Sequence, residues 1–134
     1  MAVAGFRIAG LALACAACTS ALPNERTFNG TSWHVTAIDG SATPATGDYH
    51  LAFSGRTISG RFGCNGFGGD YAIVGDIMNA GDLRSTMMAC SDPAAGFEGR
   101  GLAVLRLPMQ MRWPSPRQLT LSNSAGSISL ELAP

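Results

Sequence analysis

Cys64 and Cys90 are the side chains with the greatest capacity for chemistry, and they lie in and after a glycine-rich stretch. Two thiols can form a disulfide, bind zinc or act as a redox couple. Zinc would need His34 and His50 as additional ligands, yet there is no Cys-x-x-Cys motif and no close histidine pair. A redox couple normally has the Cys-x-x-Cys spacing too, although a labile regulatory bond is an alternative. We expect a structural disulfide.

Motifs for other catalytic chemistry are missing from the sequence. The glycine-rich run 63–69 lacks the Lys-Ser/Thr pair of a phosphate-binding loop, and no Gly-x-Ser-x-Gly elbow occurs. Both histidines alternate with apolar residues in strand-like patterns, which favours surface positions over general-base roles. We therefore expect no enzyme activity, no metal and no cofactor. Five methionines could line an apolar pocket but more plainly fill the core: Met78, Met87, Met88, Met109 and Met111.

The N-terminus has the pattern of an export signal. Arg7 precedes an apolar run from Ile8 to Ala17, which is too short to cross a bilayer core of ~30 Å as a helix. Small residues then abut cysteine, a pattern that resembles a bacterial lipobox. We expect lipidation at Cys18, with Cys15 as the alternative acceptor, and an ordinary secretory signal as the alternative to any anchor.

This leader sets the expected location and organisation of the chain. Residues 1–17 are interpreted as a lipoprotein signal peptide, 18–29 as a tether and 30–133 as one folded domain. Thr19 after the cysteine resembles outer-membrane lipoproteins, so we expect an envelope protein that faces the periplasm, or else a secreted or periplasmic one. An oxidising compartment favours pairing of Cys64 with Cys90. The formal net charge is zero, without basic clusters, so nucleic acid is not an expected partner.

From Thr31 onward the chain alternates apolar and polar residues, with turn residues at regular intervals. Tyr49, Leu51 and Phe53 share one face, and the chain reverses at Ser54-Gly55. Similar patterns recur up to Leu132. Seven or eight short strands at this spacing predict a mainly β protein, a small antiparallel barrel that is closed or partly closed.

One segment departs from this period and predicts a short helix. Ser91-Asp92-Pro93 offers an N-cap with proline at the first helical position, and Pro108 stops the run. Three glycines lie inside it, at residues 96, 99 and 101, and each costs about 1 kcal/mol relative to alanine. The helix must therefore depend on tertiary packing against the barrel.

Several short motifs together resemble a known family. They are Gly30-Thr31-Ser32-Trp33, Gly63-Cys64-Asn65, Phe67-Gly68-Gly69-Asp70-Tyr71, Thr86-Met87-Met88-Ala89-Cys90 and a helix containing Glu98. The chain is similar to the META domain of HslJ-type heat-shock lipoproteins over about residues 29–132. Ala94 and Ala95 depart from the family, which usually has a second acid near the helix start. The resemblance implies a small cracked β-barrel with one helix, similar to pilot lipoproteins of secretion systems.

The resemblance implies an envelope-associated protein linked to heat or antibiotic stress, with no catalytic residues assigned. Two hypotheses follow for this chain. It is a non-catalytic, membrane-anchored lipoprotein that acts on an envelope protein partner. Alternatively, it is a pilot-like module that holds a lipid or another small apolar ligand inside its barrel.

Overall fold

The computed structural model of the protein describes residues 25–134. The expected signal peptide and the candidate lipidation residues Cys15 and Cys18 lie outside this part of the chain. The helices and strands follow in the order α1 (Glu25–Phe28), β1 (Ser32–Ile38), β2 (Ser41–Ala42), β3 (Tyr49–Ser54), β4 (Thr57–Phe62), β5 (Gly66–Val74), β6 (Ile77–Ser85), α2 (Ala94–Leu105), β7 (Met109–Ser115), β8 (Gln118–Asn123) and β9 (Gly126–Leu132).

The strands form one antiparallel sheet that closes on itself. Neighbours follow chain order from β3 to β9, β1 pairs with β3, and β1 also pairs with β9. This last pairing, which includes Val35 opposite Leu130, joins the two edges of the sheet into an eight-stranded barrel. The two-residue strand β2 adds to the end of β1 outside the barrel. The predicted antiparallel barrel with one short helix, α2, is confirmed.

The barrel interior is filled by alternate side chains of the strands. In β3, Tyr49, Leu51 and Phe53 are buried as their period-two pattern predicts. The largest fully buried side chains come from most of the strands, from α1 and from α2: Phe28, Phe53, Phe62, Ile38, Leu51, Ile58, Met78, Leu105, Met109, Leu119, Leu121 and Ile128. One continuous apolar core therefore stabilises the fold.

The two helices pack at opposite ends of β3. Phe28 of α1 contacts Phe53, with ring centroids 4.8 Å apart, and Phe97 of α2 contacts Tyr49 at 5.6 Å. The backbone N–H of Gly55 donates to the Asn29 side chain at 2.7 Å and fixes the chain just after α1. The end of the segment interpreted as a tether thus contributes a core residue, because a phenylalanine covers this end of the barrel.

The seam between β6 and β7 is the least hydrogen-bonded junction of the barrel wall. These strands pair only at Ile77 with Gln110 and Met78 with Met109, whereas β8 and β9 pair at six positions. Beyond Met78, β6 continues along β5, and no strand within residues 25–134 pairs with its other side. This opening corresponds to the cracked barrel that the family resemblance implies.

Helix α2 begins one residue later than the sequence suggests. Pro93 is the N-cap residue and not the first helical residue, and no side chain caps the helix, so the predicted side-chain N-cap is wrong. The backbone N–H of Ala95 instead donates to the Ser91 carbonyl. Buried Phe97, Leu102, Val104 and Leu105 confirm that tertiary packing holds the helix.

The glycines of α2 differ in their surroundings. A Cβ on Gly101 would lie 2.5 Å from the fully buried ring of Phe62, so the helix approaches β4 closely only because residue 101 has no side chain. A Cβ on Gly99 would meet no atom within 4 Å. The helix therefore carries one glycine that packing requires and one that it does not.

These two glycines predict opposite effects on stability. Gly99→Ala should raise the free energy of unfolding by roughly 0.5–1 kcal/mol through helix propensity. Gly101→Ala should lower it by about 1–3 kcal/mol, because Phe62 cannot move without disturbing the core. Urea unfolding of the two variants measures both changes. Stabilisation by Gly101→Ala would contradict the close packing of α2 on β4.

Candidate functional site

A disulfide joins two parts of the chain beside α2. Cys64 lies in the three-residue connection between β4 and β5, and Cys90 lies between β6 and α2, with the Cα atoms 6.1 Å apart. The expected disulfide is confirmed. Zinc binding by these cysteines is incompatible with it, because both sulfur atoms are bonded to each other. Closing a loop with a sequence separation of 26 stabilises the fold by about 3–4 kcal/mol on the chain-entropy model.

Asn65, next to Cys64, fastens the same two segments through hydrogen bonds. Its side chain is buried, with 5% of the residue exposed. The carbonyl oxygen Oδ1 accepts from the Thr86 hydroxyl at 2.9 Å and from the Met88 backbone N–H at 2.8 Å. The amide Nδ2 donates to the Met88 carbonyl at 3.2 Å and approaches the Cys90 sulfur at 3.3 Å. The segment 86–90 is therefore held independently of the disulfide.

Glu98 connects this cluster to helix α2. Its Oε1 accepts from the backbone N–H of Asn65 at 2.7 Å, and its Oε2 accepts from Asn65 Nδ2 at 3.0 Å. The Glu98 carboxylate thus accepts two hydrogen bonds from Asn65, one from its backbone amide and one from its side-chain amide. Since Asn65 is buried, its many partners satisfy the requirement that buried polar groups be hydrogen-bonded.

Gly63 and Tyr49 shape the other side of the connection between β4 and β5. Gly63 has φ of +90°, and a Cβ there would lie 2.5 Å from the Tyr49 hydroxyl. Glycine adopts this left-handed conformation without the steric cost that a side chain would add. Burial raises the pKa of the Tyr49 phenol, so the ring stays neutral next to the loop.

The hydrogen bonds of Asn65 were missed by sequence reasoning. Asn65 and Glu98 were recognised as parts of motifs, but 33 residues separate them and no pattern in one sequence reports their contact. The available signal was the asparagine that directly follows Cys64 in a glycine-rich turn. An asparagine side chain has both hydrogen-bond donors and an acceptor, so it can pair with backbone N–H and C=O groups of a loop that the sheet does not pair.

Met87 and Met88 project from the fastened segment. Their exposed fractions are 94% and 57%, so neither fills the core nor lines an internal pocket, and both interpretations are wrong for these two residues. Met78, Met109 and Met111 are buried, as core filling predicts. The strand β6 ends at Ser85. The Thr86 backbone N–H still donates to the Gly66 carbonyl of β5, and beyond it the Met88 N–H donates to the Asn65 side chain instead of to a strand.

A polar groove lies elsewhere, on the outer face of β7, β8 and β9. It has a volume of about 550 Å³, and its lining is mostly hydroxyl and amide side chains with one guanidinium: Gln110, Arg112, Thr120, Ser122, Ser127 and Ser129, together with Met111. This composition differs from that of an apolar ligand site, which has mainly hydrophobic walls.

A protein-family model matches most of the chain. The model of the META domain matches residues 26–132, a span that contains the disulfide, Asn65 and Glu98. The chain belongs to the META domain family. The match confirms the resemblance that the short motifs of this META domain indicate.

Two solved structures have folds similar to this META domain. A protein from Burkholderia xenovorans, solved by NMR, is 27% identical with a TM-score of 0.67, and the match covers 81% of this chain and 86% of that one. A second protein solved by NMR is 19% identical with a TM-score of 0.73, covering 83% and 96%, respectively, and this likeness concerns the fold alone. No curated protein matches the chain.

Within residues 25–134 of the META domain, no group of three or more histidine, cysteine, aspartate or glutamate side chains could hold a metal ion. No helix among these residues is long and apolar enough to cross a membrane. His34 and His50 lie on the outer face of the barrel, as their strand pattern predicts.

An isosteric change at Asn65 should destabilise the META domain in a pH-dependent way. In Asn65→Asp, a carboxylate replaces the Nδ2 donor and faces Glu98, which should cost about 2–4 kcal/mol near pH 7. Repulsion raises the pKa of the new carboxyl group in the folded state, so stability should recover as the pH falls through that raised value. Urea unfolding at about pH 7 and pH 5 measures this change.

The conservative variant Glu98→Gln provides the control, because it removes the repulsive charge and keeps the side-chain length. Combined with Asn65→Asp, it should restore part of the lost stability and reduce the pH dependence. Equal destabilisation of the single and double variants at both pH values would contradict a direct contact between residues 65 and 98.

Proposed function

We propose that this META domain protein is a non-catalytic lipoprotein of the cell envelope, of the HslJ type, that acts in stress response or antibiotic tolerance by binding another envelope protein. The observation that carries this proposal is the exposure of Met87 and Met88 on a segment whose backbone is fixed. The backbone of a preorganised loop loses little conformational entropy when a partner covers its apolar side chains.

The segment 86–90 suits such a contact for two reasons. The disulfide and the Asn65 hydrogen bonds restrain the main chain on both sides of Met88. The methionine side chains remain flexible and polarizable, and these properties allow them to adapt to an apolar surface. A protein partner with an apolar recess therefore fits this segment.

Binding of a lipid or a small apolar ligand inside the barrel stays a prediction with less support. The interior positions carry bulky side chains such as Phe53, Phe62 and Leu121, which are almost fully buried. The groove on β7–β9 is lined mainly by residues with hydroxyl and amide side chains. Both observations favour a surface interaction over an internal ligand.

Site-specific crosslinking in cells tests the proposed contact. A photoreactive residue at position 87 should give a discrete crosslinked protein band, and Met88→Ala should weaken that band several-fold. Val74 provides the matched control, since it is apolar and 72% exposed but lies next to the β5–β6 turn. Identical bands from positions 74 and 87, or none from position 87, would argue against a contact at the methionine segment.

The proposed lipid anchor has its own test. Cys18→Ser should move the protein from the membrane fraction to the soluble envelope fraction. The substitution removes the thiol that would begin the lipid anchor, and stable attachment needs two or more acyl chains. Fractionation followed by immunoblotting measures the shift. Loss of membrane attachment only in Cys15→Ser would identify Cys15 as the lipidated residue. Membrane attachment that survives both substitutions would contradict a lipid anchor.

A further inference from the structure

The two histidines of the chain are cross-strand neighbours. In the antiparallel pair of β1 and β3, His34 lies directly opposite His50. Side chains on either side of each histidine in its strand, such as Val35 and Leu51, are buried, so both imidazoles are on the outer face of the barrel. Directly opposed residues have Cβ atoms about 4.5–5.5 Å apart. The fold therefore joins two residues that are 16 positions apart in the sequence.

A carboxylate orients one of these imidazoles. His50 Nδ1 lies 2.5 Å from Asp48 Oδ1. A neutral ring that donates from Nδ1 to a carboxylate keeps its Nε2 lone pair free for another ligand, and such carboxylate partners orient and strengthen metal-binding histidines. Asp48 thus prepares His50 to bind a cation through Nε2.

We propose that His34 and His50 together bind one divalent transition-metal ion on the outer face of the META domain. Imidazole nitrogens suit Cu²⁺, Ni²⁺ and Zn²⁺, and nitrogen sites generally bind Cu²⁺ most tightly among these ions. Two imidazoles supply the protein ligands, and water molecules complete the coordination shell. This minimal site is consistent with the absence of a three-ligand cluster among residues 25–134.

The charges around the pair are compatible with a bound cation. Glu131 of β9 lies opposite His34 on the side away from His50, which adds negative charge to the same row of residues. Arg61 of β4 lies opposite His50, but its guanidinium donates to the Cys64 carbonyl, and its Nε lies 3.6 Å from Asp48 Oδ2. These contacts direct the arginine charge toward Asp48 and the β4–β5 connection.

Calorimetric titration with CuCl₂ and ZnCl₂ tests the site on the full chain carrying Cys15→Ser and Cys18→Ser, which removes the two thiols outside the disulfide. We expect one Cu²⁺ per chain and weaker binding of Zn²⁺. His34→Asn and His50→Asn should each weaken Cu²⁺ binding by at least about ten-fold. Asp48→Asn should weaken it by about ten-fold while the urea midpoint changes little.

Ser32→Asn provides the matched control, because Ser32 is exposed on β1 and on the same face as His34. It should leave the affinity for Cu²⁺ unchanged. In the protein that retains both histidines, a small amount of Cu²⁺ should broaden the NMR signals of residues 34 and 50 most strongly. This measurement does not depend on the folding of a histidine variant. The absence of Cu²⁺ binding, unchanged affinity in the histidine variants, or broadening centred elsewhere would overturn the proposal.

Discussion

The side chain of Asn65 holds together the parts of this protein that the barrel strands alone do not connect. Through one amide group it contacts the chain after β6, and through Glu98 it contacts helix α2. A buried amide without partners would cost about 1–3 kcal/mol, so these partners form a set in which each depends on the others. The disulfide reinforces this arrangement by linking the residue before Asn65 to the residue two positions after Met88.

This arrangement explains how a barrel with one weak seam can carry a long connection. Since β6 and β7 share only two paired positions, the chain between them must be positioned by contacts outside the sheet. Helix α2 supplies these contacts by packing Gly101 against Phe62 and Phe97 against Tyr49. At the other end of β3, Phe28 packs against Phe53, so aromatic rings from two helices close the barrel.

The two binding sites that we propose lie on the surface of this scaffold. The same hydrogen bonds that fix the backbone of Met88 leave the side chains of Met87 and Met88 exposed. On another part of the barrel wall, strand pairing places His34 beside His50. Both features depend on a rigid framework, because a preorganised surface loses less entropy on binding. Membership of the META domain family accounts for the barrel framework. The ligands proposed for these two surfaces are inferred from the chemistry of the exposed side chains.

The sequence by itself predicted the barrel strands and helix α2 from local period and turn residues, the cysteine pair from the export signal, and the family from short motifs. Leu119 and Leu121 face the core as simple alternation predicts. Tertiary structure alone decided the partners of Asn65, the necessity of Gly101 and the pairing of His34 with His50. Each of these depends on contacts between distant residues, and no local propensity encodes them. Met88 lies outside β6, and its backbone N–H donates to the side chain of Asn65, a contact between distant residues that local strand propensity does not report.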